Sequence, residues 1–340
     1  MLVTRQKVLR RFWYPVMPVS ALADGPKPFT LLGQAMVLWL DADGQPAACI
    51  DRCCHRTAKL SLGFVRDGVI SCGYHGWTFD RNGRCVRIPQ AKPDAKPPKF
   101  KIDSYRTEAR YGYAWVCLDE PLGDIPDIPE AAEPGFRQIH EFYEVWNCAA
   151  LRVMENSFDN AHFSYVHRAS FGDVENPEPA DFSFTEHDWG FETHSLVPVK
   201  NPDLQKKNLK VEGDRLVRDN LRIWWLPFCR KLRIKYPTGL QHVIVTAATP
   251  IDDHRSQLIQ FAFRNDREED APAKDIIAFD RQVTNEDRMV LEATAYDSPL
   301  NATSGEEFHM PSDKANLLMR RKLMALLAEH GETEKRLADA

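Results

Sequence analysis

The chain has 340 residues, a formal net charge of −5 and 43% hydrophobic residues, enough for one large domain or two ordinary ones. Its basic residues are dispersed, which disfavours nucleic acid as a partner. No apolar signal segment opens the sequence, and no stretch approaches the roughly 18 consecutive apolar residues of a membrane span. We therefore expect a soluble cytoplasmic protein with neither a nucleic acid nor a membrane as its partner.

The chain contains 8 cysteines. Without a signal peptide, a chain of this size uses cysteine for metal binding or burial more often than for disulfides. Five cysteines lie in apolar or strand-like contexts and are predicted to be core thiols: Cys49, Cys85, Cys117, Cys148 and Cys229.

The first part of the sequence is typical of short β-strands. Apolar runs flank Asp43-Gly44 and Asn82-Gly83, which predicts two hairpins. A segment with four prolines and no periodicity then follows, as is typical of a linker. We predict an all-β domain, a Pro-rich linker and a second domain, at residues 1–120, 121–135 and 136–340.

The second part combines both element types. A helical period runs through residues 150–167, and two further helices are predicted over 273–295 and 312–330. Strand-like runs fill most of residues 180–263 between them. The fold class expected from these patterns is α+β.

A two-plus-two set of thiols and imidazoles lies in the first part, as Cys53-x-His55 and Cys72-x-x-His75. A structural zinc site is the alternative, because zinc also takes two Cys and two His. Here each half carries one of each type on a hairpin-like loop, whereas a zinc finger groups its cysteines and its histidines separately. A [2Fe–2S] cluster with two His on one iron and two Cys on the other matches the split, which is a Rieske centre.

A second group lies in "ENSFDNAHFSYVHRA", which contains Asp159, His162 and His167. Taken alone, two histidines on a helix favour a surface or hydrogen-bonded position. They are five residues apart, so both reach one metal only if the helix bends or ends near Val166. Beside a Rieske cluster, two His plus one carboxylate indicate the facial triad of a non-haem Fe(II) oxygenase.

The third iron ligand must come from elsewhere, and the helix over 273–295 offers three carboxylates. Asp287 lies within the apolar stripe of this helix, Glu286 lies at its edge and Asp280 lies near it. A buried carboxylate needs a cation or a hydrogen-bond donor to offset its desolvation. The pattern favours Asp287 over Asp280, and leaves open a salt bridge of Asp287 with Arg281 or Arg288.

Both motifs resemble those of the oxygenase components of Rieske non-haem iron oxygenases. "CCH…CGYHG" is similar to the family's cluster motif, and "NSFDNAHFSYVH" is similar to its iron motif. "NEDRMVLEA" resembles the segment that carries the third iron ligand, which implies Asp287. The chain looks most like the single-subunit group with toluenesulfonate methyl-monooxygenase, vanillate and dicamba O-demethylases and a saxitoxin-pathway hydroxylase.

This resemblance implies a Rieske domain followed by a helix-grip-like α+β catalytic domain in a head-to-tail homotrimer. The cluster of one subunit would lie near the iron of the next. Asp159 would connect them, accepting hydrogen bonds from a neighbour's cluster histidine and from its own subunit's His162. Asn156 matches the family's asparagine and is expected to shape the site. Cys53 is the implied thiolate ligand and Cys54 the spare.

The resemblance also implies the reaction: O2-dependent hydroxylation or oxidative demethylation of a small aromatic or cyclic substrate. A separate flavin and ferredoxin-type reductase would supply electrons from NAD(P)H. One alternative is cis-dihydroxylation of a ring, and another is a Rieske electron carrier without oxygen chemistry. For the pocket, Phe163, Trp224 and His242 are candidates, although each fits a core position better.

Overall fold

The structure is a computed structural model that describes residues 1–92 and 99–339. The chain divides into two compact units. The small unit comprises Lys7–Ile125 and Thr249–Asp253, and the large unit comprises Met1–Gln6, Pro126–Ala248 and His254–Ala340. None of the helices within the described ranges has the length and apolar character that a bilayer span requires.

The small unit contains only β-strands and short 3₁₀ turns among its described residues, which confirms the all-β prediction. A six-stranded antiparallel sheet has the order β1-β10-β9-β4-β3-β2, and a four-stranded antiparallel sheet has the order β5-β6-β7-β8. The strands are β1 Tyr14–Pro18, β2 Lys27–Leu31, β3 Gln34–Leu40, β4 Pro46–Ile50, β5 Phe64–Arg66, β6 Val69–Ser71, β7 Thr78–Phe79, β8 Cys85–Arg87, β9 Ser104–Arg110 and β10 Tyr113–Cys117. The 3₁₀ turns are Lys7–Arg11, Val19–Leu22 and Leu60–Leu62.

Both predicted hairpin turns are present and are built alike. The Asp41 carboxylate accepts hydrogen bonds from the backbone N–H groups two and four residues later, and Gly44 adopts a φ of +71°. Asp80 repeats the arrangement in the β7–β8 turn, where Gly83 has a φ of +74°. Each turn has an aspartate that accepts hydrogen bonds from the backbone of the turn and a glycine in the left-handed region. This combination explains why the sequence identified these turns.

The large unit has a seven-stranded sheet of order β11-β17-β16-β15-β14-β13-β12 and five α-helices among its described residues. The strands are β11 Arg137–Trp146, β12 Ser183–His187, β13 Gly190–Lys200, β14 Arg215–Trp225, β15 Cys229–Lys235, β16 Gln241–Pro250 and β17 Ser256–Arg264. The helices are α1 Ala150–Ser157, α2 Phe163–Val166, α3 Asp203–Leu209, α4 Ala273–Leu291 and α5 Lys314–Glu329. The 3₁₀ turns are Val3–Arg5, Pro129–Ala131, Pro311–Asp313 and Leu337–Asp339.

The α+β class is confirmed, but the single helix predicted over 150–167 is wrong. The chain leaves α1 at Ser157 and re-enters a helix only at Phe163. In between, the Asp159 carboxylate accepts a hydrogen bond from the N–H of Ala161 at 2.6 Å, and the Asn160 amide donates to Ala180 O at 3.1 Å. A short polar side chain that bonds the backbone two residues later, as Asp159 does, competes with helical hydrogen bonds, so the helix is interrupted here.

Helix α4 brings its carboxylates to this interruption. It contacts α1, α2 and β11, and its buried side is carried by Ile276, Phe279, Asp280 and Leu291. The helix therefore lies over the two histidine-bearing turns, more than 100 residues away in sequence. The prediction did not identify β11, β15 or α3, in which charged residues interrupt the apolar ones.

Candidate metal centres

Two loops of the small unit present the Cys–His pairs, and their backbones follow the same path. Cys53 N–H donates to the carbonyl five residues later and its carbonyl accepts from the N–H four residues later, at 2.8 and 2.9 Å. Cys72 makes the equivalent two bonds at 2.8 and 2.9 Å. The fourth residue after each cysteine, Thr57 and Gly76, has a positive φ. Two matching loops thus hold one thiol and one imidazole each.

The thiols point inward and the imidazoles outward. Cys53 and Cys72 are 1% and 2% exposed within the core of the small unit, whereas both histidines are half-exposed. The rings of His55 and His75 lie 4.6 Å apart between centroids, and Trp77 stacks on His55 at 4.5 Å. This places two soft sulfur ligands on one side and two nitrogen ligands on the other.

These donors fit a two-iron cluster better than a single zinc ion. Within the described residues, groups of three or more ligand atoms that lie within 4.8 Å of one another occur at two places, and neither includes these four side chains. Tetrahedral zinc ligands with bonds of roughly 2.0–2.3 Å would lie closer than about 4 Å to one another. Burial raises the pKa of the Cys53 thiol to about 11. Such a buried thiol ionises readily only when it binds a metal.

Of the two adjacent cysteines, Cys54 is exposed and Cys53 is buried. The five cysteines predicted to be core thiols are buried and free, which confirms that prediction. Gly76 has the positive φ that its turn requires, while a side chain at Gly73 would meet the Leu62 carbonyl at 2.8 Å. The absence of a side chain at position 73 therefore lets two protein segments approach each other.

In the large unit, three predicted ligands converge. His162 Nε2 and His167 Nε2 lie 3.2 Å apart, and Asp287 Oδ1 lies 3.4 and 3.3 Å from them. First-row metals bond imidazole and carboxylate at roughly 2.0–2.2 Å, so ligands at right angles around one ion lie about 3 Å apart. Asp287 Oδ1 is also buried without a hydrogen-bond partner among the described residues. The three atoms fit one metal ion.

The short length of α2 allows this convergence. His162 directly precedes α2 and His167 directly follows it, so the helix ends at Val166 as the spacing required. Gly172 then turns the chain back, with its N–H donating to His167 O at 2.7 Å. A side chain at Gly172 would meet the Phe163 carbonyl at 2.2 Å, so only glycine allows this tight approach.

Carboxylates surround both histidines. Asp159 Oδ2 lies 3.4 Å from His162 Nδ1, and Glu286 Oε2 lies 2.8 Å from His167 Nδ1 while accepting a 2.7 Å hydrogen bond from Ser170 Oγ. Burial lowers the pKa of His162, but the nearby carboxylates outweigh it and raise that pKa to about 9. Burial likewise raises the pKa of Asp287, and the two histidines hold it down to about 2. The site therefore favours a positive charge at its centre.

The structure contradicts both alternatives for this helix, namely Asp280 beside the two histidines and a salt bridge of Asp287. Asp280 Oδ2 lies 3.2 Å from His242 Nε2 and belongs to a different buried group. Asp287 forms no salt bridge with Arg281 or Arg288 in the described structure, because these pair instead with other acids, Glu144 and Glu292, at 2.8 and 3.0 Å. Glu286, predicted as an edge residue of the stripe, contacts His167.

A cavity of about 830 Å³, counting the open space at its mouth, adjoins the three ligands. It lies between α4 and the inner face of the sheet, and Asn156 is part of its lining. Phe163 and His242 also line it. Phe163 packs against a core cluster as well, and His242 is 4% exposed, so both residues combine a core position with a place in the cavity wall. Trp224 is fully buried against Phe191 and lies outside the lining, as a core residue would.

A second buried group combines Glu141, His242 and Asp280, whose ligand atoms also lie within 4.8 Å of one another. His242 and Asp280 line the cavity, whereas Glu141 lies outside its lining. Burial raises the pKa of Glu141 well above its usual range, and the charge of Asp280 adds to this. Gln260 donates to Glu141 Oε2 at 2.6 Å. His242, Asp280 and the Gln260 amide thus form part of the polar wall of the cavity, a grouping that the sequence did not predict.

Comparison with known families decides the identity of the chain. The family model described as the Rieske [2Fe-2S] domain matches residues 12–106, and that of the vanillate O-demethylase oxygenase C-terminal domain matches residues 146–329. The chain is a Rieske non-haem iron oxygenase. It is the oxygenase component, and it uses a Rieske [2Fe–2S] cluster, mononuclear iron and O2, with NAD(P)H as the ultimate donor.

Relatives of this oxygenase align over nearly its whole length. Methylxanthine N1-demethylase NdmA of Pseudomonas putida is 29% identical over 96% of this chain and 92% of its own. Methylxanthine N3-demethylase NdmB of Pseudomonas putida is 28% identical over 95% of this chain and 91% of its own. The structure of Pseudomonas putida CBB5 NdmA with caffeine superposes with a TM-score of 0.80, covering 97% of this chain and 94% of that one at 27% identity.

Proposed function

We propose that this oxygenase oxidatively demethylates a small aromatic or heteroaromatic substrate held in the cavity beside His162, His167 and Asp287. The observation that carries the proposal is that cavity, which opens directly onto the three convergent ligands. The relatives that align over nearly the whole chain are methylxanthine demethylases by name. Aromatic side chains in the lining, including Phe163, Phe171 and Phe279, provide faces for a flat ring.

The ligand assignments belong to the same proposal. A bound iron would activate O2, and a bound cluster would deliver electrons to it one at a time. His162, His167 and Asp287 would hold this iron, and the cavity beside them would admit substrate and O2. The cluster ligands are Cys53, His55, Cys72 and His75, and the iron ligands are His162, His167 and Asp287.

The overall reaction balances with one O2, two electrons and two protons. One oxygen atom enters a C–H bond of an O-methyl or N-methyl group, and the other leaves as water. The hydroxymethyl product then breaks its C–O or C–N bond to release formaldehyde and the demethylated compound. The chain's own contribution is to orient the methyl group toward the ligand triangle and to limit water in the cavity.

Asp159 is the proposed connection between the metal sites of neighbouring subunits in a head-to-tail homotrimer. Its carboxylate faces His162 and is 26% exposed, so one side remains available to another chain. Apolar side chains are exposed around both sites, as expected for surfaces that become covered. They are Leu62, Tyr74 and Phe100 near the cluster loops, and Val290 and Phe308 beside Asp159.

A separate flavin and ferredoxin-type reductase is the proposed electron source, and the cytoplasm is the proposed location. The eight cysteines are all free thiols, which fits a reducing compartment.

The test is turnover by the holoenzyme with NADH and a surrogate reductase on O-methyl and N-methyl aromatic compounds. We expect formaldehyde and demethylated product in a one-to-one ratio for at least one substrate class. Formation of cis-dihydrodiols without formaldehyde would replace demethylation with ring dihydroxylation. Absence of any substrate-dependent O2 consumption, in protein with full iron content, would reject both.

A further inference from the structure

Three arginines line the cavity beside the proposed iron site, and the sequence analysis assigned them no role. Arg218 and Arg222 are 6% and 3% exposed, and Arg230 is half-buried. Arginine is rarely buried unless an acidic group pairs with it. None of the three forms an ion pair with a carboxylate within the described ranges of the chain, so their charges face the cavity uncompensated by direct contact.

The hydrogen-bonding capacity of these side chains is also largely unused. Arg218 donates to Gln205 Oε1 at 2.9 Å and lies 4.5 Å from the Phe171 ring. Arg222 donates only to Ser195 Oγ, at 3.3 Å, among the described residues. Arg230 has no hydrogen-bond partner there, and its Nε atom is buried. A guanidinium has five N–H donors, so most remain available to a ligand.

Strand pairing places Arg222 and Arg230 side by side. Arg222 of β14 lies opposite Leu232 of β15, so Arg230 is its diagonal neighbour on the same face. Diagonal neighbours in an antiparallel pair are roughly 7 Å apart, within reach of two long side chains that converge on one small group. Arg218, which already pairs with Gln205, is the less available member of the cluster.

The nearby acids are engaged elsewhere. Asp287 lies against the two iron-ligand histidines and Asp280 lies against His242. The pKa of Arg222 is lowered to about 9, mainly by burial and also by repulsion from the other two arginines. Burial likewise lowers the pKa of Arg230 to about 10. Both remain charged at neutral pH, so the unliganded cavity carries the cost of clustered positive charge.

We propose that Arg222 and Arg230 bind a carboxylate on the substrate, so that the substrate is a methylated aromatic acid. The inference deepens the proposed function and rests on it for the aromatic and methyl parts of the molecule. A carboxylate matches the planar guanidinium fork and offers two oxygens to the two side chains. Phe163, whose ring lies 5.7 Å from the Arg222 guanidinium and 4.8 Å from the His162 ring, separates the acid end from the iron end.

Calorimetric titration of the holoenzyme tests this without turnover. The probes are benzoate and 2-, 3- and 4-methoxybenzoate, each compared with its neutral primary amide. We expect at least one acid to bind about tenfold or more tightly than its amide, since hydrogen bonds to charged groups are the strong ones. If no acid binds more tightly than its matched amide, the proposal is overturned.

Variants locate the preference. R222Q and R230Q should each reduce the ratio of acid to amide affinity about tenfold. R222K and R230K should retain part of this ratio because the charge remains. The control is K235Q, which removes a positive charge from an exposed position on the same strand, outside the cavity lining. An unchanged preference in both glutamine variants would place the acid elsewhere and overturn the assignment.

A structural role for the arginines makes the opposite prediction about stability. Removing a buried, unpaired charge relieves desolvation and repulsion, so the melting temperature of unliganded R222Q should be equal to or higher than that of the wild type. A clear decrease would mean that Arg222 supports the fold, and would count against the proposal. If acids bind tightly but no formaldehyde forms, demethylation is rejected and the arginine site is retained. If only neutral substrates yield formaldehyde, the arginine site is rejected and demethylation is retained.

Discussion

Glu286→Gln isolates the interaction that orients one proposed iron ligand. The Glu286 carboxylate lies 2.8 Å from His167 Nδ1, and the two side chains are 12% and 2% exposed. Because the amide is neutral and of similar size, the substitution removes the charge while keeping the shape. The ring of His167 would then keep a neutral acceptor but lose the charge that strengthens its hydrogen bond and raises its basicity toward the metal.

The expected loss follows from this geometry. A buried hydrogen bond to a charged group contributes about 1.5–3 kcal/mol, which corresponds to about 10- to 150-fold in a binding constant. Carboxylate partners of metal-binding histidines typically alter metal affinity by about 10- to 100-fold. We therefore expect mononuclear iron to bind about 10- to 100-fold more weakly in Glu286→Gln.

Competition with an iron chelator measures this affinity, and the visible absorption of the cluster provides an internal reference in the same sample. Iron content should fall from three toward two per chain at a chelator concentration that leaves the wild type loaded. Glu292→Gln is the matched control, since its carboxylate contacts Arg288 and the backbone of Asn147. An affinity within twofold of the wild type would show that Glu286 does not support His167.

Three further predictions concern the metal sites. Asp287→Ala should lose mononuclear iron and turnover but keep the Rieske spectrum; retention of three irons per chain would place the third ligand elsewhere. Asp159→Asn should keep both metals yet slow reduction of the iron in a single turnover at least tenfold, and a normal rate would exclude the bridge. Cys53→Ser should lose or strongly perturb the cluster absorption, whereas Cys54→Ser should leave it unchanged, and equal effects would contradict the choice of Cys53.

The sequence predicts the cluster loops well because the information is local. Each loop carries its ligands within four residues, and the backbone hydrogen bonds that shape it begin and end inside the same segment. The convergence of His162 and His167 could be predicted only conditionally. It required the helix to end near Val166, and the structure meets this condition with the chain turning back at Gly172, whose N–H donates to His167 O.

Contacts across the chain were harder to predict. Asp287 could be singled out as a buried acid on an amphipathic helix, and the pattern favoured it over Asp280, but the family resemblance was needed to strengthen that choice. The two differ in their partners, since Asp280 faces His242 on a strand and Asp287 faces the histidines beside α2. The contact of Glu286 with His167 was not predicted either. Its adjacency to His167 comes from the packing of α4 on α2, which no local pattern records.

The strand β14 shows where sequence patterns fail for a physical reason. In "RLVRDNLRIWW", the usual alternation would turn Val217 toward the interior and Arg218 toward water. The structure does the reverse, with Val217 49% exposed and Arg218 and Arg222 buried. Apolar burial alone would select the opposite register, so the rest of the sheet must stabilise this one. A strand that exposes valine in order to line a cavity with arginine departs from local rules at a functional site. That inversion, together with the unpaired donors it brings inward, identifies the ligand end of the cavity independently of the metal motifs.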